Sequence, residues 1–433
     1  MRHSIPFLLP FAALAAAQSP LVDLLSSQPD LSSLLDILTI TPELVNTLSN
    51  ANNITIFAPV NSAFAAIPPD TAEGVAISTR DPNGTSTLLN YHVLQGSYPS
   101  SAFQETPLYY PTLFDNRSII FDNPRTNVTG GQNVGLFRNG SQFQVVRGEL
   151  QTSNVIQADI TVGGVTIHKI DEVLTIPLNA SDTAERLNAT AALGALTQAG
   201  LIDQLDIVPD LTLFIPNNEA FQAVGSAFAG ASIETLRDVL QYHAVTGNVL
   251  FSTEVTNTTV TASNGGTLNL TVIDDDIFVN GAKVILPNVL MSDGVAHVID
   301  SVLNPDTQAI NPADLEDDDD EPATAFPGAS PVPNVPFTSA VPAPTTLNTV
   351  PPLYTTASVV APTRAVGSGN GTIPSGAAGG STTTARPGNG TVTTGAGGNA
   401  STRPASFTGA AALPTMMAGG LWAGVLAVGA WEV

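Results

Sequence analysis

Residues 55–64 read Thr-Ile-Phe-Ala-Pro-Val-Asn-Ser-Ala-Phe, and residues 212–221 read Thr-Leu-Phe-Ile-Pro-Asn-Asn-Glu-Ala-Phe. Phe57, Pro59, Asn61, Ala63 and Phe64 return as Phe214, Pro216, Asn218, Ala220 and Phe221 in one register, 157 positions on. A repeat that keeps its aromatic, proline and asparagine spacing implies one domain plan used twice. Each run reads as a buried apolar strand, then a proline and a polar turn whose asparagine opens a helix. Two further motifs keep the same order in both copies. Tyr91-His92 and Tyr242-His243 end helical stretches. The closing segments place His168, Ile170, Asp171, Val173 and Leu174 129 positions before His297, Ile299, Asp300, Val302 and Leu303.

Around these motifs, apolar periodicity predicts helices over 21–48 (interrupted at Pro29 and Pro42), 85–91, 184–205 and 233–240. Short alternating strands are expected at 118–121, 134–137, 143–146 and 164–168, and in the second copy at 258–261, 268–272, 277–279, 283–286 and 296–302. The copies differ in length: 76 positions separate His92 from His168, but 54 separate His243 from His297. The extra 22 fall around residues 107–138. They are expected to form an enlarged surface loop or hairpin, with a partner-binding loop as the alternative. Because the repeated run suits a buried seam, recognition is expected on loops that differ between copies, this one above all.

The flanks do not repeat. A basic start, the apolar stretch 5–16 and the small residues Ala15, Ala16 and Ala17 read as a secretory signal peptide over 1–17. From residue 306 an acidic run gives way to Pro, Ser, Thr, Gly and Ala, a composition that reads as a disordered, O-glycosylated stalk over 306–399. The acidic run could hold calcium loosely, against the simpler reading of a self-repelling linker. The apolar tail lacks a following Lys/Arg cluster and is preceded by small residues and a polar spacer. That is the layout of a GPI-anchor signal over 400–433, with Asn399 as the attachment residue, Gly398 and Ser401 as rivals, and a transmembrane helix as the alternative.

With 13 Lys+Arg against 37 Asp+Glu, the formal net charge is -24, a field that repels nucleic acid and anionic headgroups. The chain has no cysteine, which excludes disulfides, thiolate chemistry and Cys-ligated metals. Beyond His3 in the leader, the histidines are His92, His243, His168 and His297, two repeat-equivalent pairs. Recurrence in both copies favours a core role, an imidazole satisfying buried backbone groups, over ligand or partner contact and over catalysis. Asp171 and Asp300 follow the closing histidines by three residues and would face away from them in a strand. No hydrolase elbow, HExxH or phosphate loop occurs, so no catalytic, metal or cofactor residue is expected. Acceptors for N-glycosylation are dense: Asn53, Asn83, Asn116, Asn127, Asn139, Asn179, Asn188, Asn257 and Asn269, then Asn370, Asn389 and Asn399 in the stalk.

On the repeated run, Tyr91-His92 and residues 165–174, with their second copies, the sequence resembles the fasciclin (FAS1) domain family. The second copy matches more cleanly, through Phe278-Val-Asn-Gly-Ala282 and residues 293–303. The resemblance implies two tandem α+β domains, 18–177 and 178–305, each a β-wedge or sandwich with packed helices. Leader, domain pair, stalk and anchor signal together look like a fungal GPI-anchored cell-surface fasciclin protein. The family implies adhesion to glycans, matrix or surface proteins without catalysis or cofactor. A wall spacer without a specific ligand, a vacuolar role known among yeast members, and a wall-polysaccharide enzyme remain alternatives. Animal members bind integrins near the Tyr-His motif, but its neighbours here do not reproduce that sequence. Arg147-Gly148-Glu149 only approximates an adhesion tripeptide.

Overall fold

The computed structural model describes residues 20–115, 119–120, 123–124, 126–307 and 326–341. The first copy contributes strands β1 (Ile54–Pro59), β2 (Val93–Gln95), β3 (Leu108–Pro111), β4 (Ile119–Ile120), β5 (Asn123–Pro124), β6 (Asn133–Asn139), β7 (Gln142–Val146), β8 (Thr152–Val162) and β9 (Val165–Ile170). The second contributes β10 (Leu211–Pro216), β11 (Ala244–Val245), β12 (Thr258–Thr261), β13 (Thr267–Ile273), β14 (Asp276–Val279), β15 (Ala282–Met291) and β16 (Gly294–Ile299). Their sheets run β2-β1-β9-β8-β7-β6-β3 and β11-β10-β16-β15-β14-β13-β12, the same order twice. The β4–β5 pair stands apart from both.

The repeated apolar run explains the centre of each sheet. All six residues of β1 and of β10 are buried, as a strand covered on both faces requires. Each pairs in parallel with the closing strand of its copy, setting Phe57 opposite His168 and Phe214 opposite His297. Pro59 and Pro216 sit at the last position of their strands.

Helices pack over this seam. The first copy has α1 (Pro20–Ser26), α2 (Ser32–Leu38), α3 (Pro42–Asn50), α4 (Asn61–Ala65), α5 (Ala72–Ser78) and α6 (Pro82–Tyr91). The second has α7 (Ala180–Arg186), α8 (Thr190–Ala199), α9 (Ile202–Leu205), α10 (Asn218–Ala223) and α11 (Ile233–Tyr242). The expected single helix over 184–205 is therefore three. Asn188 takes a left-handed φ of 56° between α7 and α8, and Gly200, at φ 65°, caps α8. Strands β3 and β8 fall where alternation was too weak to flag them. Of the strand expected at 118–121, Ile119–Ile120 is described as β4.

The repeated asparagine does open its helix, as the first residue of α4 or α10, but its side chain serves a different one. Asn61 Oδ1 accepts the Ser33 amide at 2.8 Å and its Nδ2 donates to Pro29 O at 3.0 Å. Asn218 makes the same pair of bonds to Ala191 N (3.0 Å) and Asn188 O (2.9 Å). Each thus caps the neighbouring helix, α2 or α8, and ties it to the end of the central strand.

The length difference lies mainly between β3 and β6, residues 112–132, where the second copy needs only residues 262–266 between β12 and β13. The excursion carries the expected hairpin, β4 paired antiparallel with β5, but its described residues 126–132 are not a free surface loop. Asn127 N donates to Ser292 O at 2.9 Å, and Gln132 Nε2 to Met291 O at 2.8 Å. The Asp210 carboxylate accepts both the amide and the hydroxyl of Thr129 at 2.6 Å. Beside it the Tyr109 ring lies flat on Phe251, with centroids 4.1 Å apart. On another edge Glu149 and Leu150 adopt left-handed backbone (φ 60° and 55°), a cost for side-chain-bearing residues. That turn sets the half-buried Leu150 against the second domain's core and brings Glu149 to Arg186 at 2.7 Å. The two domains are therefore joined by an interface that uses the first copy's added chain.

Part of the segment read as stalk, residues 326–341, also packs. Phe326, Ala329, Val335, Phe337 and Val341 lie against the second domain's core. Averaged composition hid a few apolar residues that suffice to dock a segment, though not to fold one.

The interface predicts coupled unfolding. In scanning calorimetry the native chain should show one main transition. The double variant Tyr109→Ala/Asp210→Ala should split it, with one transition lower by several degrees. Two independent transitions in the native chain would contradict the coupling.

Candidate functional site

The Tyr-His motif sits where helix, central strand and closing segment meet. Helices α6 and α11 end at the tyrosine, and the histidine is the next residue. His92 Nδ1 lies 2.7 Å from Leu88 O, one turn back, and its Nε2 accepts the Leu174 amide at 2.8 Å. His243 repeats this with Val239 O at 2.7 Å and Leu303 N at 2.9 Å. The backbone carbonyls of the two histidines accept the amides of Phe57 (2.9 Å) and Phe214 (2.8 Å). A carbonyl can only accept and an amide can only donate, so both rings are neutral with the proton on Nδ1. The tyrosine hydroxyls reach the outer sheet, Tyr91 donating to Asn133 O at 3.1 Å and Tyr242 to Thr267 O at 2.6 Å.

The closing histidines carry the opposite tautomer. His168 Nε2 donates to Tyr98 O at 2.8 Å, and Nδ1 accepts the Asp159 amide at 3.3 Å. His297 does the same with Leu250 O (2.8 Å) and Asn288 N (3.4 Å). Each ring stacks on the phenylalanine opposite it, with centroids 5.6 Å apart for both Phe57–His168 and Phe214–His297. Tyr91, His92, Tyr242, His243, His168 and His297 are all buried, so none offers a face to a partner at the surface. Burial pulls His92, His243 and His297 down to about 4. His168 is also lowered by burial, with its bond to Tyr98 O and the nearby Asp159 pulling the other way.

Asp171 and Asp300 do not meet these rings. Asp171 accepts Asn154 N and Nδ2, both at 2.7 Å, and Asp300 accepts Lys283 N at 2.9 Å, each pinning the neighbouring strand. Motif reading passed over Thr55 and Thr212, the first residues of the repeated run. Thr55 Oγ1 donates to Gly96 O (2.9 Å) and accepts Tyr98 N (2.8 Å), and Thr212 Oγ1 holds Asn248 O and Leu250 N likewise. Recurrence of a buried threonine at the same position was the available signal.

Arg147-Gly148-Glu149 is likewise occupied. Arg147 is buried against Glu172 and Thr175, while Glu149 holds Arg186. Among the described residues, no cluster of three or more His, Asp or Glu side chains could hold a metal ion. The sequons differ in access. Asn53, Asn83, Asn139, Asn188 and Asn257 are exposed, whereas Asn179 and Asn269 are half-buried. Asn127 belongs to the domain interface, its Nδ2 donating to Ile207 O at 3.3 Å. Asn116, Asn370, Asn389 and Asn399 lie outside the described residues.

Two consequences follow for pH. A histidine whose folded pKa is about 4, against about 6.5 when unfolded, contributes stability that is complete above pH 6.5 and lost as pH falls toward 4. The loss is on the order of 3 kcal/mol per fully buried ring. Asp293 acts in the opposite sense. It is buried with both carboxyl oxygens unpartnered, and burial pushes it up to about 7, so its burden grows as pH rises from the ordinary carboxylate range to about 7, is full above that, and is relieved as pH falls back through this window. Urea titrations should therefore show stability falling from pH 6.5 to 4. Asp293→Asn should stabilise the chain more at pH 8 than at pH 5, with the gain vanishing toward pH 4. His243→Ala, which orphans Leu303 N and Val239 O, should cost about 2–3 kcal/mol at pH 7. Flat stability across this range would contradict the assignment.

The fasciclin domain model matches residues 29–177 and 187–305. A fasciclin-like arabinogalactan protein of Arthroderma benhamiae is 31% identical over 330 residues, covering 76% of each chain. A second fasciclin-like arabinogalactan protein, of Cercospora beticola, is 31% identical over 307 residues, 68% of this chain and 78% of that one. Among solved structures, a FAS1 domain pair from the insect cell adhesion molecule fasciclin I aligns at 17% identity with a TM-score of 0.30, covering 63% of this chain and 97% of that one. The chain belongs to the fasciclin domain family, which it carries in two tandem copies.

Proposed function

We propose that the chain is a non-catalytic extracellular glycoprotein that presents two fasciclin domains from the cell surface to glycans, matrix or other proteins. The observation behind this reading is that the repeated Tyr, His and Asp side chains are spent inside the fold. Recognition is left to the outer surfaces of a jointed domain pair that carries exposed acceptors for N-glycans. The net charge of -24 fits partners other than nucleic acid. In this reading residues 1–17 direct secretion, residues within 306–399 act as a spacer, and a GPI lipid at Asn399 holds the protein at the plasma membrane or wall. Among the described residues no helix is long and apolar enough to cross a membrane. A vacuolar destination is the alternative location.

Two experiments test this. Phosphatidylinositol-specific phospholipase should release the protein from intact cells, and retention after treatment would remove the lipid anchor from the account. The released protein, applied to glycan and matrix-protein arrays, should bind at least one class saturably. Absence of saturable binding would leave a spacer role instead.

A further inference from the structure

The second domain contains two glycines that its own fold does not explain. Gly194 lies inside α8, and Gly225 begins the short 3-10 turn Gly225–Phe228; neither has a left-handed φ. A Cβ on Gly194 would stand 2.1 Å from Phe337 O, and one on Gly225 would stand 2.2 Å from a Val332 methyl. In both cases the nearest atoms belong to the docked segment 326–341, so these glycines clear a path for that segment.

The segment is held as a ligand would be. Phe337 packs edge-on to Phe221 and Phe228, at 5.9 and 5.6 Å, and Phe326 reaches Phe228 at 5.5 Å. Between these anchors its backbone is read at three points. Ser226 N donates to Ser330 O (3.2 Å), Ser330 N to Ser226 Oγ (2.7 Å), and Val332 N to Gln222 O (3.0 Å). Pro327, Pro331, Pro333 and Pro336 restrict the segment before it docks, which lowers the ordering cost. Phe221 closes the repeated run and is fully buried, whereas its counterpart Phe64 is only partly buried. The first domain spends helix α5 between α4 and α6, where the second has only the short turn between α10 and α11.

We propose that this face of the second domain is a peptide-binding groove for proline-rich segments with phenylalanine anchors, and that the chain fills it with its own residues 326–341. The family match ends at residue 305, and residues 308–325 supply up to about 60 Å of chain between domain and strap. A tether of that length gives the strap a high local concentration, so the groove is closed to competing peptides while the tether is intact.

The test uses the full chain with one specific protease site inserted within 308–325. Labelled peptide 326–341 is titrated onto cut and uncut protein by fluorescence anisotropy, while gel filtration follows the C-terminal fragment. The cut chain should bind peptide saturably and release its fragment to excess peptide. The uncut chain should bind at least 100-fold more weakly. A Phe337→Ala peptide should lose at least tenfold. Gly194→Ala places its methyl against the strap and favours the helix it sits in, so the cut variant should keep its circular dichroism and lose at least tenfold in affinity. A fragment that excess peptide cannot displace would make the segment an integral part of the fold and overturn the proposal. So would a fragment that leaves without peptide rebinding, or equal binding of the Phe337→Ala peptide or by the Gly194→Ala chain.

Discussion

A neutral imidazole at the end of a helix, made once in each domain, holds the fasciclin plan together. It spans two backbone groups: a carbonyl in the last turn of the helix and the amide just beyond the closing strand. Its own carbonyl meanwhile pairs with the central strand. Three segments far apart in sequence thus share one residue, and the whole junction is buried, where an unmatched polar group is costly. The second histidine of each domain locks the loop after the helix onto the same central pair by stacking on its phenylalanine. The tyrosine beside the first reaches the far end of the sheet.

Around this duplicated frame the two copies diverge where they must meet one another. The first domain's added chain supplies Asn127, Thr129 and Gln132 to the second, and its left-handed turn at Glu149–Leu150 lays Leu150 against the neighbouring core. The second domain has the shorter link between α10 and α11 and covers that side with a segment from beyond its boundary. These departures from the repeat are matched by contacts, which is why the described end of the loop that looked most available for partners is engaged with the second domain.

The duplicated plan, the central strands and the structural use of histidine were legible in the sequence because burial enforces them locally: a run such as Ile54–Pro59 has no other stable place. Contacts that depend on tertiary approach were not legible. Asn61 looks like an ordinary helix opener until α2 is brought beside it. Residues 107–138 carry the turn-rich composition of a surface loop, since a clamp made of backbone and Asn, Thr and Gln side chains leaves no apolar pattern. Gly194 and Gly225 pass as neutral small residues, because what they make room for lies more than a hundred positions away.

The central claim is a protonation pattern, and nitrogen-resolved NMR of the four domain histidines reads it directly. The account predicts His92, His243 and His297 neutral at pH 5.5 and His168 shifted in the same direction, with His92 and His243 carrying their proton at Nδ1 and His168 and His297 at Nε2. Rings that titrate near pH 6.5 with averaged tautomers would contradict it, because exposed imidazoles cannot be the junction on which each domain closes.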